Sequence, residues 1–205
     1  MSFAYKLLYG IGFTPWEQMA KSPAIIEQVS TLFDREEAGR EPPYGQALDL
    51  GCGSGIWAVK LAARGWQVTG VDFVSKALRR ARERAQEAGV DVRLIEGDVT
   101  ALDTARVGSG FQLLLDFGCF HDELTDEQRA DEAREASAAA ASGATLLLLA
   151  WAPGRRGPLP RGASPEDIEG AFPEWQMIDE EPMDVSDAPG YVRKAVPRVY
   201  RLRRD

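Results

Sequence analysis

The stretch that decides the fold is ALDLGCGSG, residues 47–55, a short apolar run that ends in an acid and three alternating glycines. A buried run of this length bounded by glycines is typical of a strand. Glycines at 51, 53 and 55 permit a tight turn into a helix and let backbone approach a ligand where a Cβ would collide. The pattern therefore predicts a strand, a ligand-binding turn and a helix, in that order.

Strand-like and helical segments alternate on both sides of this turn. We predict strands at 47–50, 67–71, 92–96, 111–117, 145–151, 175–184 and 196–203. Helices are predicted over 54–64, 75–88 with Ser75 as cap, 125–142 with a capping box at Thr125, and after Ser164. This alternation predicts a doubly wound, Rossmann-like α/β fold, with helices on both faces of a seven-stranded, mostly parallel sheet.

The length of 205 residues suits a single domain with one sizeable core. Hydrophobic residues make up 44% of the chain, a proportion that excludes general disorder. We expect an N-terminal helical cap over 1–43, a ligand-binding core over 44–152, and a lid loop with C-terminal strands over 153–205.

The formal net charge is −8, and this acidity bears on the partners of the chain. Binding a phosphate backbone needs an electropositive surface, so we predict no nucleic-acid partner and, similarly, no anionic membrane. Two cysteines form no disulfide framework, and the longest apolar run is about half the ~20 residues of a membrane span. We therefore expect a cytoplasmic location; the sequence carries no signal of oligomeric state.

Acidic residues follow the second and third predicted strands. Asp72 lies about 20 positions past the glycine turn, where a carboxylate accepts the hydroxyls of a ribose, and Phe73 is placed to lie against a nucleobase. Asp98 is placed to accept a hydrogen bond from an exocyclic amine. Ile56 stands where a dinucleotide fingerprint has its third small residue, which weakens an NAD reading. The pattern favours an adenosine site without a pyrophosphate clamp.

Four segments in register, ALDLGCGSG, VTGVDF, LIEGDVTAL and FQLLLDFGCF, resemble the class I S-adenosylmethionine-dependent methyltransferases over about residues 45–152. The resemblance implies S-adenosylmethionine as cofactor and S-adenosylhomocysteine as product. It implies contacts to the methionine part from Asp49, Gly51 and Gly53, to the ribose from Asp72, to the adenine from Phe73, Asp98 and Val99, and near the methionine end from Asp116 and Phe117.

Two further segments bear on the subgroup. The segment TPWE at 14–17 first of all reads as a helix start, but it also resembles the N-terminal segment of the thiopurine, thiol and halide methyltransferases. That resemblance implies that Trp16 covers the cofactor, whereas the alternative is ordinary packing. The segment DFGCFHDEL resembles small-molecule members of the same group and places His121, the only histidine, beside the methyl donor.

The residues after the fourth strand bear on the acceptor. Asp116-Phe117-Gly118-Cys119 lacks the Asn/Asp-Pro-Pro-aromatic box of enzymes that methylate adenine or glutamine. We therefore predict methyl transfer to a thiol, hydroxyl or amine of a small, aromatic or heterocyclic molecule, with His121 as candidate base. Candidate acceptor contacts are Phe13, Phe120 and Trp151, and we expect no metal. Two alternatives stay open: a non-catalytic S-adenosylmethionine-binding protein and an NAD-dependent oxidoreductase.

Overall fold

A computed structural model describes residue 17 and residues 19–121, 124–154 and 161–205. Seven strands form one sheet in the order β3-β2-β1-β4-β5-β7-β6. Strands β1 to β5 are parallel, whereas β7 runs antiparallel between β5 and β6. The strands are β1 Gly45–Leu50, β2 Trp66–Asp72, β3 Val92–Glu96, β4 Phe111–Asp116, β5 Ala140–Trp151, β6 Trp175–Pro182 and β7 Pro197–Arg204. The predicted doubly wound fold is confirmed.

Helices cover both faces of the sheet because strand residues alternate in direction. Leu113 and Leu115 of β4 pack into one apolar cluster, and Leu114 between them packs into another. The first cluster includes residues of α1 Pro23–Glu37, α2 Ile56–Arg64 and α7 Gly190–Ala195. The second includes residues of α5 Asp126–Ala139 and α6 Pro165–Ala171. The described ranges also contain α3 Ser75–Ala88 and α4 Thr104–Val107. Within the described ranges, no helix is long and apolar enough to cross a membrane.

The predicted caps are confirmed at two helices and revised at a third. Ser164 forms a capping box with Asp167 at the start of α6. Thr125 forms the expected capping box with Gln128 at the start of α5. Ser75 is not a cap, because it is the first residue of α3 and follows Val74, which makes no side-chain cap bond. The end of α5 also differs, since the helix ends at Ala139 rather than near Gly143.

The early end of α5 has a physical cause in the neighbouring strands. Ala140 pairs with Phe111 of β4, and its carbonyl accepts a 2.5 Å hydrogen bond from Arg204 of β7. Strand pairing with β4 and a hydrogen bond from the Arg204 side chain of β7 thus take the place of another helical turn. Contacts across the sheet therefore determine where α5 ends. The nearby glycine, Gly143, gives no information about these contacts.

The packing of α1 on the antiparallel edge centres on Glu36, whose side chain is only 7% exposed. Its carboxylate accepts a 2.7 Å hydrogen bond from Thr145 Oγ1 of β5 and a 3.0 Å bond from Arg201 Nε of β7. One buried carboxylate therefore joins the helix to two strands.

Replacing Glu36 with alanine is expected to lower the free energy of unfolding by about 3 kcal/mol, because Arg201 and Thr145 lose their buried partner. Urea unfolding followed by tryptophan fluorescence measures the change. Glu27→Ala, an exposed site on the same helix, is the control and should stay within about 0.5 kcal/mol of wild type. Equal small effects in the two variants would contradict the role given to Glu36.

Candidate functional site

The predicted acidic residues converge where the strands end. β1 pairs in parallel with β2 on one side and β4 on the other, so Leu50 lies beside both Val71 and Asp116. This arrangement brings the carboxyl ends of three strands, and with them Asp49, Asp72 and Asp116, to one edge of the sheet. Ligands of doubly wound sheets bind at this edge, where the strand order reverses.

The turn after β1 adopts the conformation that its glycines allow. Gly51, Gly53 and Gly55 have φ values of 63°, 54° and 73°, the left-handed region. A Cβ at Gly51 would collide with Cys119 Sγ, and one at Gly55 would lie 2.8 Å from Ala81 Cβ of α3. The turn therefore lies directly against the segment after β4 and against α3, and no larger residue fits at these two positions.

Asp49 is a buried acid with an unsatisfied oxygen. It is 2% exposed, and its Oδ2 finds no hydrogen-bond partner within the described part of the chain. Burial, then the charge of Asp72 and more weakly that of Asp116, raise the pKa of Asp49 to about 8. A carboxyl group in this position is neutral near pH 7 unless a cation comes close enough to favour its charge.

Asp72 links the end of β2 to the glycine turn. Its Oδ2 accepts a 2.9 Å hydrogen bond from Gly53 N, and its Oδ1 accepts a 2.8 Å bond from Val74 N. Burial raises the pKa of Asp72, and the two backbone donors oppose that shift. Each oxygen keeps a second lone pair for another donor. Phe73 is half-buried next to it and packs against Val74 and Ala77.

The loop after β3 places its two predicted residues differently. Asp98 is half-buried, and its Oδ1 accepts hydrogen bonds from Thr100 N at 2.9 Å and Thr100 Oγ1 at 2.7 Å. Val99 is 2% exposed and lies in the apolar cluster with Leu102. Its side chain therefore faces the core, and only its backbone remains for contact with a ligand.

The turn after β4 is organised by Asp116, which is 1% exposed. Its Oδ1 accepts hydrogen bonds from Gly118 N at 3.2 Å and Cys119 N at 2.8 Å, and its Oδ2 accepts a 3.1 Å bond from Phe120 N. Burial raises the pKa of Asp116, and these backbone donors counteract it. Asp116 thus holds the turn, and Phe117 is left half-buried at its start.

His121 lies at the end of this turn and is 4% exposed. Its Nδ1 is 2.9 Å from the carbonyl oxygen of Leu149, and its ring stacks on Trp151 with centroids 5.6 Å apart. Since a carbonyl only accepts, the proton is assigned to Nδ1, and Nε2 carries the lone pair of a neutral ring. This tautomer suits a general base.

The described structure separates two of the predicted acceptor contacts, Phe120 and Trp151. Phe120 is wholly buried between Arg129, whose Cζ is 5.1 Å from the ring centre, and Phe172, so its side chain belongs to the core. Phe13 and Trp16 lie outside the described residues. Of the candidate contacts, Trp151 alone is placed beside His121 in the described structure.

Three side chains at this edge were not predicted. Trp57, in the first turn of α2, meets Phe117 edge-on with ring centroids 5.7 Å apart. Arg129 and Glu132 of α5 are 4% and 0% exposed and point under the turn after β4. The helical spacing indicates their direction, because Arg129 and Glu132 lie on the same helix face as the buried Ala133 and Ala136.

Comparison with known proteins agrees with this geometry. A family model described as a methyltransferase domain matches residues 47–143. Among curated proteins, a ubiquinone biosynthesis O-methyltransferase from Cereibacter sphaeroides is 33% identical over 108 residues, 50% of this chain and 42% of that protein. A ribosomal RNA small subunit methyltransferase C from Alcanivorax borkumensis is 38% identical over 63 residues, 31% of this chain and 19% of that protein. The chain thus spans less than half the length of these relatives.

Among solved structures, the fold is similar to that of Burkholderia thailandensis 1,6-didemethyltoxoflavin-N1-methyltransferase, whose structure contains 1,6-didemethyltoxoflavin and S-adenosylhomocysteine. The TM-score is 0.72 with 22% sequence identity, over 98% of this chain and 85% of the other. At this identity the likeness concerns the fold. The family model thus covers the chain from β1 into the start of β5, whereas the likeness in fold extends over nearly the whole chain.

Replacing Asp49 with asparagine is expected to stabilise the protein increasingly as pH rises from 5 to 8. In the wild type the folded state retains a proton on Asp49 that the unfolded chain loses near pH 4, so its stability falls with pH until about pH 8. The gap between variant and wild type should grow by up to about 1.4 kcal/mol per pH unit. Urea unfolding at several pH values measures it, with exposed Asp91→Asn as control. A gap independent of pH would show that Asp49 is already ionised.

Proposed function

We propose that this chain, whose residues 47–143 match a methyltransferase domain, is a class I S-adenosylmethionine-dependent methyltransferase that transfers the methyl group of S-adenosylmethionine to a small acceptor molecule by in-line displacement. The observation that carries the proposal is the unpartnered oxygen of Asp49 at the end of β1. A donor with a sulfonium and an ammonium group supplies the positive charge that this buried carboxylate lacks.

The rest of the donor site follows from the neighbouring strand ends. Asp72 keeps lone pairs for the ribose hydroxyls, and its bond to Gly53 N holds the glycine turn against the same ligand. Asp98 has its Oδ2 available for the adenine amine, with Phe73 against the ring. The steric limit at Gly51 supports the fit, because a side chain there would block close approach of the methionine part.

A further contact supports a role for the N-terminal segment in covering the donor. Glu17, the residue after Trp16, has its Oε1 3.9 Å from Arg80 Nη1 of α3, the helix that follows Asp72 and Phe73. This long contact places Glu17 beside α3, next to the proposed adenosine side of the site. We assign the cover over the donor to Trp16.

We propose that the acceptor binds at the turn after β4. The donor supplies an activated methyl group on a sulfonium, an excellent leaving group, so the protein has to align an acceptor lone pair and exclude water. Such positioning contributes roughly 7–11 kcal/mol to lowering a barrier. Trp57, Phe117 and Trp151 provide apolar walls suited to an aromatic or heterocyclic molecule, and Nε2 of His121 is assigned to take the proton of a neutral hydroxyl or amine.

A small acceptor is favoured over a polymer by two properties of this chain. The net charge of −8 disfavours a polyanionic acceptor. His121 and Trp151 are 4% and 6% exposed, and a base this buried is easier to reach for a compact molecule than for a polymer. The two curated relatives are named for different processes, ubiquinone biosynthesis and ribosomal RNA methylation, so the acceptor class is proposed from this chain's own residues.

Replacing Asp49 with asparagine is expected to weaken S-adenosylmethionine binding about tenfold to a hundredfold, because the charged partner of the cation is lost. Binding of 5′-methylthioadenosine, which lacks the amino-acid part and the sulfonium charge, should be unchanged. Isothermal titration calorimetry on wild type, Asp49→Asn and the exposed control Asp91→Asn measures both ligands. Equal weakening for the two ligands would mean that Asp49 acts through the fold rather than through the cation.

The His121→Asn variant tests the proposed base, since asparagine can still donate to the carbonyl of Leu149. Methylation of a neutral phenol is expected to fall about 100-fold or more, whereas an acidic thiol, already ionised, should lose less than about tenfold. Product mass and initial rates over a panel of thiols, phenols and amines give these ratios. Equal retention on phenols and thiols would remove His121 from the mechanism, and tight donor binding without any methyl product would favour a non-catalytic binding protein.

A further inference from the structure

The inner face of α5 holds a buried polar group that the proposed reaction does not use directly. Arg129 and Glu132, one turn apart, are 4% and 0% exposed. They lie beneath the turn that runs from Asp116 to His121. Buried charges of this kind are rare unless they are paired, so each of them requires a partner.

The partner of Glu132 is another acid. Neither of its oxygens receives a hydrogen bond from an N–H or hydroxyl donor within the described ranges, and its contact is with the carboxyl group of Asp116. Two carboxyl groups form a hydrogen bond only when one of them carries a proton. Asp116 already accepts three backbone N–H groups, which favour its charged form, so the proton belongs to Glu132.

Arg129 is the third member of the group, and it connects α5 to His121 through Gly162. Its Nη2 donates a 2.6 Å hydrogen bond to the carbonyl of Gly162, and Gly162 N donates a 3.0 Å bond to the carbonyl of His121. Its guanidinium also lies over the ring of Phe120. One face of α5 therefore contacts both backbone segments that hold His121.

We propose that Glu132 is a positioning residue: it holds a proton shared with Asp116, and this hydrogen bond sets the turn that presents His121 to the acceptor. The proposal rests on the methyl transfer proposed above. With the proton on Glu132, the group of three side chains has no net charge, because Asp116 is negative, Arg129 is positive and Glu132 is uncharged. Burial, and then the charge of Asp116, raise the pKa of Glu132 well above its usual range, with Asp98 adding to the shift and Arg129 opposing it.

A metal ion is the competing explanation of the same residues. Ligand atoms of Asp116, Cys119 and Glu132 lie within 4.8 Å of one another. The Asp116 oxygens are, however, engaged by backbone donors, and the guanidinium of Arg129 already lies beside the group. A metal ion would need further ligands, and the described residues offer only these three. A proton shared with Asp116 satisfies Glu132 without any.

The proton itself can be observed without any enzymatic assay. Protonated carboxylic acids give carbonyl stretches in the infrared spectrum at pH 7, and Asp49 contributes one of them. The component that belongs to Glu132 should be lost in Glu132→Gln and kept in Glu135→Gln, a matched change at a partly exposed residue of the same helix. An unchanged band in Glu132→Gln, or about one equivalent of bound metal in the purified protein together with loss of activity on chelation, would overturn the proposal.

Positioning is tested by comparing two replacements of Glu132. Glutamine keeps a donor for Asp116, whereas leucine fills a similar volume without one. Glu132→Leu should lower kcat about 100-fold while S-adenosylmethionine affinity and Tm stay close to wild type, and Glu132→Gln should recover all but about tenfold of that loss. Equal activity of Glu132→Leu and wild type, or equal losses in both variants, would contradict it.

A readout that does not depend on methyl transfer separates this proposal from the proposed function. His121 is the only histidine, so its imidazole nitrogens give one set of NMR signals. These signals should shift in Glu132→Leu and remain near their wild-type positions in Glu132→Gln and Glu135→Gln. If His121 is unmoved in Glu132→Leu, Glu132 does not position it, whatever the reaction of the protein.

Discussion

A buried carboxyl group with one unpartnered oxygen, that of Asp49 at the end of the central strand, is the constraint on which the site depends. Its Oδ2 is unsatisfied in the described structure, and burial together with two neighbouring acids disfavours its charge. A protein selected for stability alone would replace this aspartate. The surrounding glycine turn, held by Asp72 through Gly53 N, is equally specific and leaves space only for a close ligand. Both features make sense together if a cationic, adenosine-bearing molecule completes the site.

The donor half of the molecule could be predicted from the sequence because its signals are local. A strand that ends in glycines, an acid about 20 residues later and apolar runs of strand length each report their own structure, and the parallel order then fixes their proximity. Thus Asp49, Asp72 and Asp116 meet at one sheet edge as the pattern indicates. Boundaries were less secure: the change from α5 to β5 depends on Arg204 from the far end of the chain.

The acceptor half could not be predicted to the same depth because distant contacts build it. Phe120 is predicted as an acceptor contact, yet its ring lies in the core beside Phe172. Arg129 and Glu132 are charged positions in an alanine-rich helix; their spacing places them on the alanine face, but only the fold shows what they contact there. Specificity for the acceptor lies in such contacts, so sequence motifs carry little information about it.

The most direct test of the central claim is the number of protons released when S-adenosylmethionine binds at about pH 6.5, where the amino group of the donor is already charged. Calorimetry in two buffers of different ionisation enthalpy gives this number. If Asp49 is neutral in the free protein and ionises against the donor's positive charge, wild type releases about one proton and Asp49→Asn releases none. Binding without proton release in the wild type, or equal release in both proteins, would contradict the account.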